Sequence, residues 1–384
     1  MPDLSSWAWS TWALIAVAAL VVGILAGHFG WGRRWTRPSG KLHPDYLAGL
    51  DYLVSEQPDR ALDIFLKLMD ANSDTIETHF ALGALYRRRG EVERSIRIHQ
   101  NLLAREALPR EHREQALLAL AQDYLRAGLL DRAEGLLQQV SEVPRLRASA
   151  LAALRGVYER QHEWQLALDT YRQLARVKAA PARSVAAHYL CELAALAIER
   201  DDIAQARDFL RQARREAAPF PRAALLRAQI AERQSERELA LKLLRLALDE
   251  SPALLQEELA HLLRLAGEDR RDAELAALAA TAQSRGAGEM KSLVFAAVGA
   301  ELASAPPLRP TIEAVFLKDP ALAAMWRAAG GELERVAAEL GALLANAERY
   351  RCAECGFSGR GFYWHCPACQ SWESLHSYAM VKLR

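Results

Sequence analysis

The chain has 384 residues, 51% of them hydrophobic and 25% charged, a composition that excludes intrinsic disorder and leaves room for roughly two or three globular units. Lysine plus arginine (49) nearly cancels aspartate plus glutamate (48), and a net charge of +1 excludes wholesale electrostatic binding of nucleic acid. Five cysteines exclude a disulfide scaffold, and four of them lie between residues 352 and 369 as a local site.

The first predicted element is a membrane anchor within residues 1–35. Residues 12–31 carry no charge and read WALIAVAALVVGILAGHFGW, long enough for a helix to cross a hydrocarbon core of about 30 Å. Trp7, Trp9 and Trp12 precede the apolar run, and Trp31 and Trp35 end it, as expected of indole rings at the two headgroup levels. Only Asp3 is charged before the run, whereas Arg33, Arg34, Arg37 and Lys41 follow it. Positive flanks stay in the cytoplasm, so the N-terminus is expected outside and the rest of the chain inside. A cleaved signal peptide would carry its positive charge on the other side.

The middle of the chain repeats. Gly49, Tyr52, Ala61 and Phe65 have counterparts 34 residues on at Gly83, Tyr86, Ser95 and His99; Tyr124 and Ala133 recur as Tyr158 and Ala167, and Ala206 as Ala240. Each unit reads as an apolar helix ending in tyrosine or alanine, a turn, and a second apolar helix. The turns are RRRGEVERS, RAGLLDRA, RQHEWQLA, RDDIAQA and RQSERELA. Pro109 and Pro181 fall between units, and Pro252 ends one. This small-aromatic grammar with its 34-residue period resembles the tetratricopeptide repeat, in six units over about 42–253 and a degenerate seventh to 283. Residues 286–349 stay helical out of phase. One hairpin cannot bury its apolar face alone, so the expectation is an all-α stack, a tetratricopeptide-repeat superhelix with a concave groove that takes peptides. By phase alone, Tyr46, Phe80, Arg87, Gln122 and Arg222 line that groove. The repeats carry no nucleophile elbow, zinc-protease helix or phosphate loop. Cys191, inside HYLCELAALAI, reads as a small buried hydrophobe.

The last element, residues 350–384, begins YRCAECGFSGRGFYWHCPACQSW. Cys352 and Cys355 form one CxxC pair, and Cys366 and Cys369 another. Two such loops present four thiolates to one tetrahedral ion, zinc or iron on ligand chemistry alone. So short a segment buries little apolar area, and the ion is expected to supply much of its folding free energy. Gly356 stands where closing the first loop needs a positive φ, Pro367 stiffens the second, and Tyr350, Phe357, Phe362, Tyr363, Trp364 and Trp372 are expected to form an aromatic shell. His365 and His376 are not needed as ligands. The pattern resembles rubredoxin knuckles and, more loosely, a zinc ribbon. Rubredoxins usually have glycine after the second pair as well, where this chain has Gln370, and they separate the pairs further. Both departures favour a structural module over an electron carrier.

Anchor, repeats and four-cysteine tail in this order, with YRCAECGF and WHCPACQSW, resemble the lipopolysaccharide assembly protein B family of Gram-negative bacteria. That resemblance implies a non-catalytic adaptor on the bacterial inner membrane, with a periplasmic N-terminus and cytoplasmic repeats and metal module. It implies the membrane protease FtsH and the deacetylase LpxC as partners, the adaptor promoting degradation of the second by the first. It also implies other lipopolysaccharide-assembly proteins gathered at the membrane, and iron held by Cys352, Cys355, Cys366 and Cys369. The alternatives are a membrane-bound rubredoxin-like electron-transfer protein and a generic envelope scaffold.

Overall fold

The computed structural model describes residues 44–55, 57–71, 76–177 and 182–377. The expected anchor at 12–31 and its charged flanks lie outside the described residues, as does Pro181. Among the described residues no helix is long and apolar enough to cross a membrane. The chain divides into two compact units, Met1–Val140 and Ser141–Arg384.

The first unit is three helical hairpins: α1 (Pro44–Val54) with α2 (Pro58–Ala71), α3 (Ile76–Arg89) with α4 (Val92–Leu103), and α5 (Arg110–Arg126) with α6 (Leu130–Ser141). The repeating small residues are where helices touch. A Cβ added to Gly49 would stand 2.7 Å from the Phe65 ring, and one added to Gly83 would stand 2.5 Å from His99, so these glycines let each first helix lie directly on the ring of the second. The repeated tyrosines are covered by an arginine eight positions on: Arg60 over Tyr52, Arg94 over Tyr86 and Arg132 over Tyr124, at 5.6–5.8 Å. Between the second and third hairpins the fully buried Asp123 accepts from Arg87 at 2.6 Å and Ser95 Oγ at 2.7 Å and meets His99 Nδ1. A carboxylate out of water needs such partners.

The second unit begins with three regular hairpins: α7 (Arg147–Gln161) with α8 (Trp164–Val177), α9 (Arg183–Glu199) with α10 (Ile203–Glu216), and α11 (Pro221–Arg233) with α12 (Arg237–Glu250). A looser pair follows, α13 (Leu255–Ala266) and α14 (Glu268–Arg285), then α15 (Ala287–Gly299), α16 (Arg309–Lys318), α17 (Pro320–Ala328) and α18 (Leu333–Asn346). One apolar core runs from Ala228 to Leu344 and includes Leu244, Leu262, Val294, Phe295 and Phe316. Cys191 is fully buried; burial pushes its thiol up to about 12, so it is inert.

The turn grammar has one physical cause across both units. Gly90, Gly128, His162, Asp201 and Ser235 take φ between 59° and 82° at the ends of α3, α5, α7, α9 and α11. In each case the next residue's N–H bonds back at 2.8–2.9 Å to the carbonyl of Tyr86, Tyr124, Tyr158, Ala197 or Ala231. This is a left-handed cap with a six-to-one hydrogen bond, and the repeated tyrosine or alanine is its acceptor. The out-of-phase region keeps the device: Leu302 N–H bonds Ala297 O behind Glu301, and Gly331 N–H bonds Trp326 O behind Gly330. Three short antiparallel strands close the chain, β1 (Tyr350–Cys352), β2 (Ser358–Gly359) and β3 (Leu375–Ser377), in the order β2-β1-β3. The register sets Tyr350 opposite Gly359 and Ser377, and Cys352 opposite Leu375.

Candidate metal centre

The two CxxC loops fold alike. In the first, Gly356 N–H bonds Cys352 O at 3.0 Å and Cys352 N–H bonds Phe357 O at 2.8 Å; in the second, Gln370 N–H bonds Cys366 O at 2.9 Å and Cys366 N–H bonds Ser371 O at 2.9 Å. The residue after each pair is left-handed, Gly356 at φ 75° and Gln370 at φ 60°. The second loop therefore adopts the turn that glycine favours without having glycine, and the Gln370 side chain accepts from Arg160 Nε at 2.9 Å.

All four cysteines are free thiols, and their sulfurs lie within 4.8 Å of one another. Cys352 and Cys369 are 3.6 Å apart, and Cys355 and Cys366 3.8 Å. A tetrahedral ion with bonds of about 2.3 Å to sulfur sets sulfur–sulfur edges of about 3.8 Å, so the four residues fit one such ion. The loops also stabilise negative sulfur. Ser374 Oγ lies 3.3 Å from Cys352 Sγ; that hydroxyl, with the N–H groups of Cys355 and Glu354, pushes the Cys352 thiol down to about 6. Ser371, through its hydroxyl and its N–H, pulls Cys369 below the ordinary thiol value. The Phe357 N–H acts on Cys355 in the same sense, but desolvation and the neighbouring thiols outweigh it and push that thiol up to about 12. A bound cation removes this mutual opposition, and coordinating thiols deprotonate outright. His365 is no ligand: its Nε2 meets Gln370 O at 2.7 Å. His376 is exposed on β3 opposite Arg351.

The expected aromatic shell divides in two. Tyr350, Cys352, Cys366 and Leu375 form a small core with Phe357 and Phe362 against it, while Tyr363 is exposed. Trp372 turns outward onto the repeat helices of the same unit. It stacks between His365 and His188, with ring centroids at 4.3 and 4.6 Å, and meets Trp164 and Tyr189 edge-on at 6.1 and 5.9 Å. Its Nε1 donates to the buried Glu159 at 3.1 Å. Glu159 also accepts from Arg155 and from the Tyr189 hydroxyl, and burial beside that carboxylate holds the phenol well above its ordinary value. Next along, Glu373 meets His188 Nε2 at 3.1 Å. On the other side of the module, Tyr350 donates to Glu257 at 3.0 Å and Gln256 to Ser377 at 3.2 Å. The four-cysteine module is thus seated on α7, α8, α9 and α13.

A family model for the rubredoxin metal binding domain matches residues 350–377, and one for the tetratricopeptide repeat matches residues 78–114. Lipopolysaccharide assembly protein B of Escherichia coli strain K12 is 31% identical over 370 residues, covering 91% of this chain and 95% of its own. The chain belongs to the lipopolysaccharide assembly protein B family. The protein of that name from Haemophilus influenzae is 29% identical, over 91% of this chain and 95% of its own. Among solved structures, MamA aligns over 44% of this chain and 93% of its own at 17% identity and a TM-score of 0.34, too low to carry structural detail across.

For this member of the lipopolysaccharide assembly protein B family, the residues read by phase as a single groove have different fates. Tyr46 and Phe80 line one cavity of about 340 Å³ in the first unit, together with Leu50, Glu77, Arg88 and His112. Arg87 instead pairs with buried Asp123 and donates to Ala119 O, and Gln122 is half-buried on α5. Arg222 belongs to the module's seat: it lies over the Trp372 ring at 5.9 Å and pairs with Glu192 at 2.7 Å. Repeat phase gives the side of a helix but not what a later segment lays upon it. The seat's own residues, Glu159, Trp164, His188 and Tyr189, were missed for the same reason. One signal was available, because Trp164 stands at the first position of a second helix, where other hairpins have Val92, Leu130 and Ile203.

Proposed function

We propose that this chain is a non-catalytic adaptor of lipopolysaccharide assembly, anchored in the inner membrane by residues 12–31 with its repeats and metal module in the cytoplasm. In this reading it holds the deacetylase LpxC for degradation by the membrane protease FtsH and can gather other lipopolysaccharide enzymes beside them. The observation that carries the reading is the seating of the four-cysteine module by Trp372. Stacked rings fix the module to the helices as a brace is fixed, with Cys352 and Cys366 buried and Cys355 and Cys369 exposed. Cys352, Cys355, Cys366 and Cys369 hold an ion that supplies folding free energy to the module, and iron is favoured by the family resemblance. The Tyr46–Phe80 cavity suits a client segment, since it is apolar, rimmed by Glu77 and Arg88, and includes a histidine whose buried Nδ1 has no partner among the described residues. Anchoring confines client and protease to one plane and raises their effective concentration without a new contact.

The test is client half-life in cells. Replacing Cys352 and Cys355 by serine, or deleting residues 1–35, is expected to prolong LpxC half-life several-fold at equal adaptor abundance. An unchanged half-life in both refutes the adaptor reading. A redox-silent zinc form with full activity excludes electron transfer.

A further inference from the structure

The last three regular helices of the repeat array, α10, α11 and α12, enclose a second cavity of about 320 Å³, separate from the metal module. Its floor is apolar: Leu210, Ile230 and Leu243 are buried there, and Leu239 stands 40% exposed at the mouth. Its rim is four arginines, Arg207, Arg211 and Arg214 from α10 and Arg227 from α11. Arg211 is paired with Asp208 at 2.8 Å and Arg207 donates to Gln234 at 2.6 Å. Arg214 and Arg227 face no carboxylate at ion-pair distance among the described residues. Burial, and then the like charges of Arg214 and Arg207, push the Arg227 guanidinium below the ordinary arginine value. In a chain whose charges otherwise balance to +1, this is a local positive excess around an apolar hollow.

We infer that this cavity is a docking site for an acidic peptide segment of a partner protein, one that inserts one or two large apolar side chains and flanks them with carboxylates. Charge complementarity sets the sign of the partner, and the forked guanidinium suits carboxylates in particular. Seven residues separate Arg207 from Arg214, about 10 Å along a helix. Three arginines rooted along that length of helix match charges spaced along a chain. The volume lies at the low end of ligand cavities, enough for a pair of side chains and too small for paired acyl chains. The inference goes beyond the adaptor reading and does not depend on it, because no client identity enters.

The experiment measures fluorescence anisotropy of a fluorescein-labelled peptide that alternates single leucines with pairs of glutamates, titrated with the full-length chain in nanodiscs of zwitterionic lipid. Saturable binding is expected, weakening at least tenfold in the Arg214→Glu, Arg227→Glu double variant and steadily with added salt. Leu239→Gln, which leaves every charge in place, is expected to weaken binding about threefold or more, and serine in place of the peptide's leucines at least tenfold. Leu239 is exposed, so the circular dichroism and thermal midpoint of Leu239→Gln should be unchanged; Arg227 is half-buried, so the double variant is compared with the wild type at a temperature where both show the same circular dichroism. Equal binding by the double variant overturns the assignment. So does equal binding of the serine peptide, which would mean simple ion exchange. Displacement of the peptide by phosphatidylglycerol vesicles would give the surface to a membrane and likewise overturn it.

Discussion

Removing the Trp372 ring weakens the seating of the metal module on the helices without touching a cysteine. In the Trp372→Ala variant the module loses stacking on His188, edge contacts with Trp164 and Tyr189, and the hydrogen bond to Glu159. Each aromatic pair contributes about 0.5–1.5 kcal/mol beyond area, and a hydrogen bond to a charged group about 1.5–3 kcal/mol. These terms are not additive in a shared cluster, and the ring is only half-buried, so the expected loss is about 3 kcal/mol. Glu159 keeps Arg155 and Tyr189, so no buried charge is orphaned and the helices stay folded. A loss of that size raises the population of the undocked state by about two orders of magnitude at 25 °C. Hydrogen exchange on the metal-loaded full chain reads it directly. Residues 350–377 and α9 should lose protection together, while α1–α5 do not change. The Trp372→Phe variant keeps the stack and loses only the Nε1 bond, and should fall between. Unchanged exchange in α9 upon Trp372→Ala would refute the claim that this ring seats the module.

Four further outcomes follow from named contacts. Chelation of the metal, or Cys352→Ser with Cys355→Ser, should unfold residues 350–377 and expose α7 and α9 to exchange, with the first unit's thermal transition unaffected. Gln370→Gly should retain metal about fivefold better than Gln370→Ala in a chelator competition. Both lose the Arg160 bond, but only glycine escapes the left-handed penalty of about 1 kcal/mol. His188 is held below the ordinary histidine value by burial, against the pull of Glu373, and Glu373 is itself lowered, chiefly by its bond to His188. The docked state thus prefers neutral imidazole and ionised carboxylate, so docking is strongest above about pH 6.5 and weakens as pH falls below it. Exchange in α9 should rise between pH 7.5 and 5.5 in the wild type and change less in His188→Gln. In the first unit, Asp123→Ala strands Arg87 and His99 and should cost about 3 kcal/mol, read as a lower thermal midpoint.

The hairpins and the gathering of the four cysteines were legible in the sequence because each is a local signal. Gly49 and Gly83 repeat because a ring lies on each, and two pairs of cysteines at CxxC spacing need no tertiary information to be read as one donor set. The turns were half legible: Gly90 and Gly128 announce a left-handed residue, but His162, Asp201 and Ser235 adopt the same φ because the helix-end hydrogen bond requires it whichever residue is present. Arg222 read as groove and Trp372 as shell because each was assigned within its own segment, whereas their contact joins residues 150 apart in the chain. Arg87 lies on the helix that phase gives it, and the buried Asp123 one hairpin later decides where its guanidinium goes.

The second CxxC loop links ion binding to the repeats more tightly than two separate domains would be linked. Ser371 holds the Cys369 sulfur through its backbone N–H and through its hydroxyl at 3.4 Å, and Trp372 and Glu373, the next two residues, make the stack and the bond to His188. Ser374 then returns to the Cys352 sulfur. Of four consecutive residues the outer two thus hold the cysteine sulfurs and the inner two hold the helices, with Glu373 itself at φ 53°. A loop that must satisfy both ends has few conformations, so ordering one end prepays the entropy of ordering the other. Positive cooperativity between metal retention and docking is the consequence, and by linkage it is reciprocal. Trp372→Ala should loosen the ion by the same factor by which removing the ion loosens the dock.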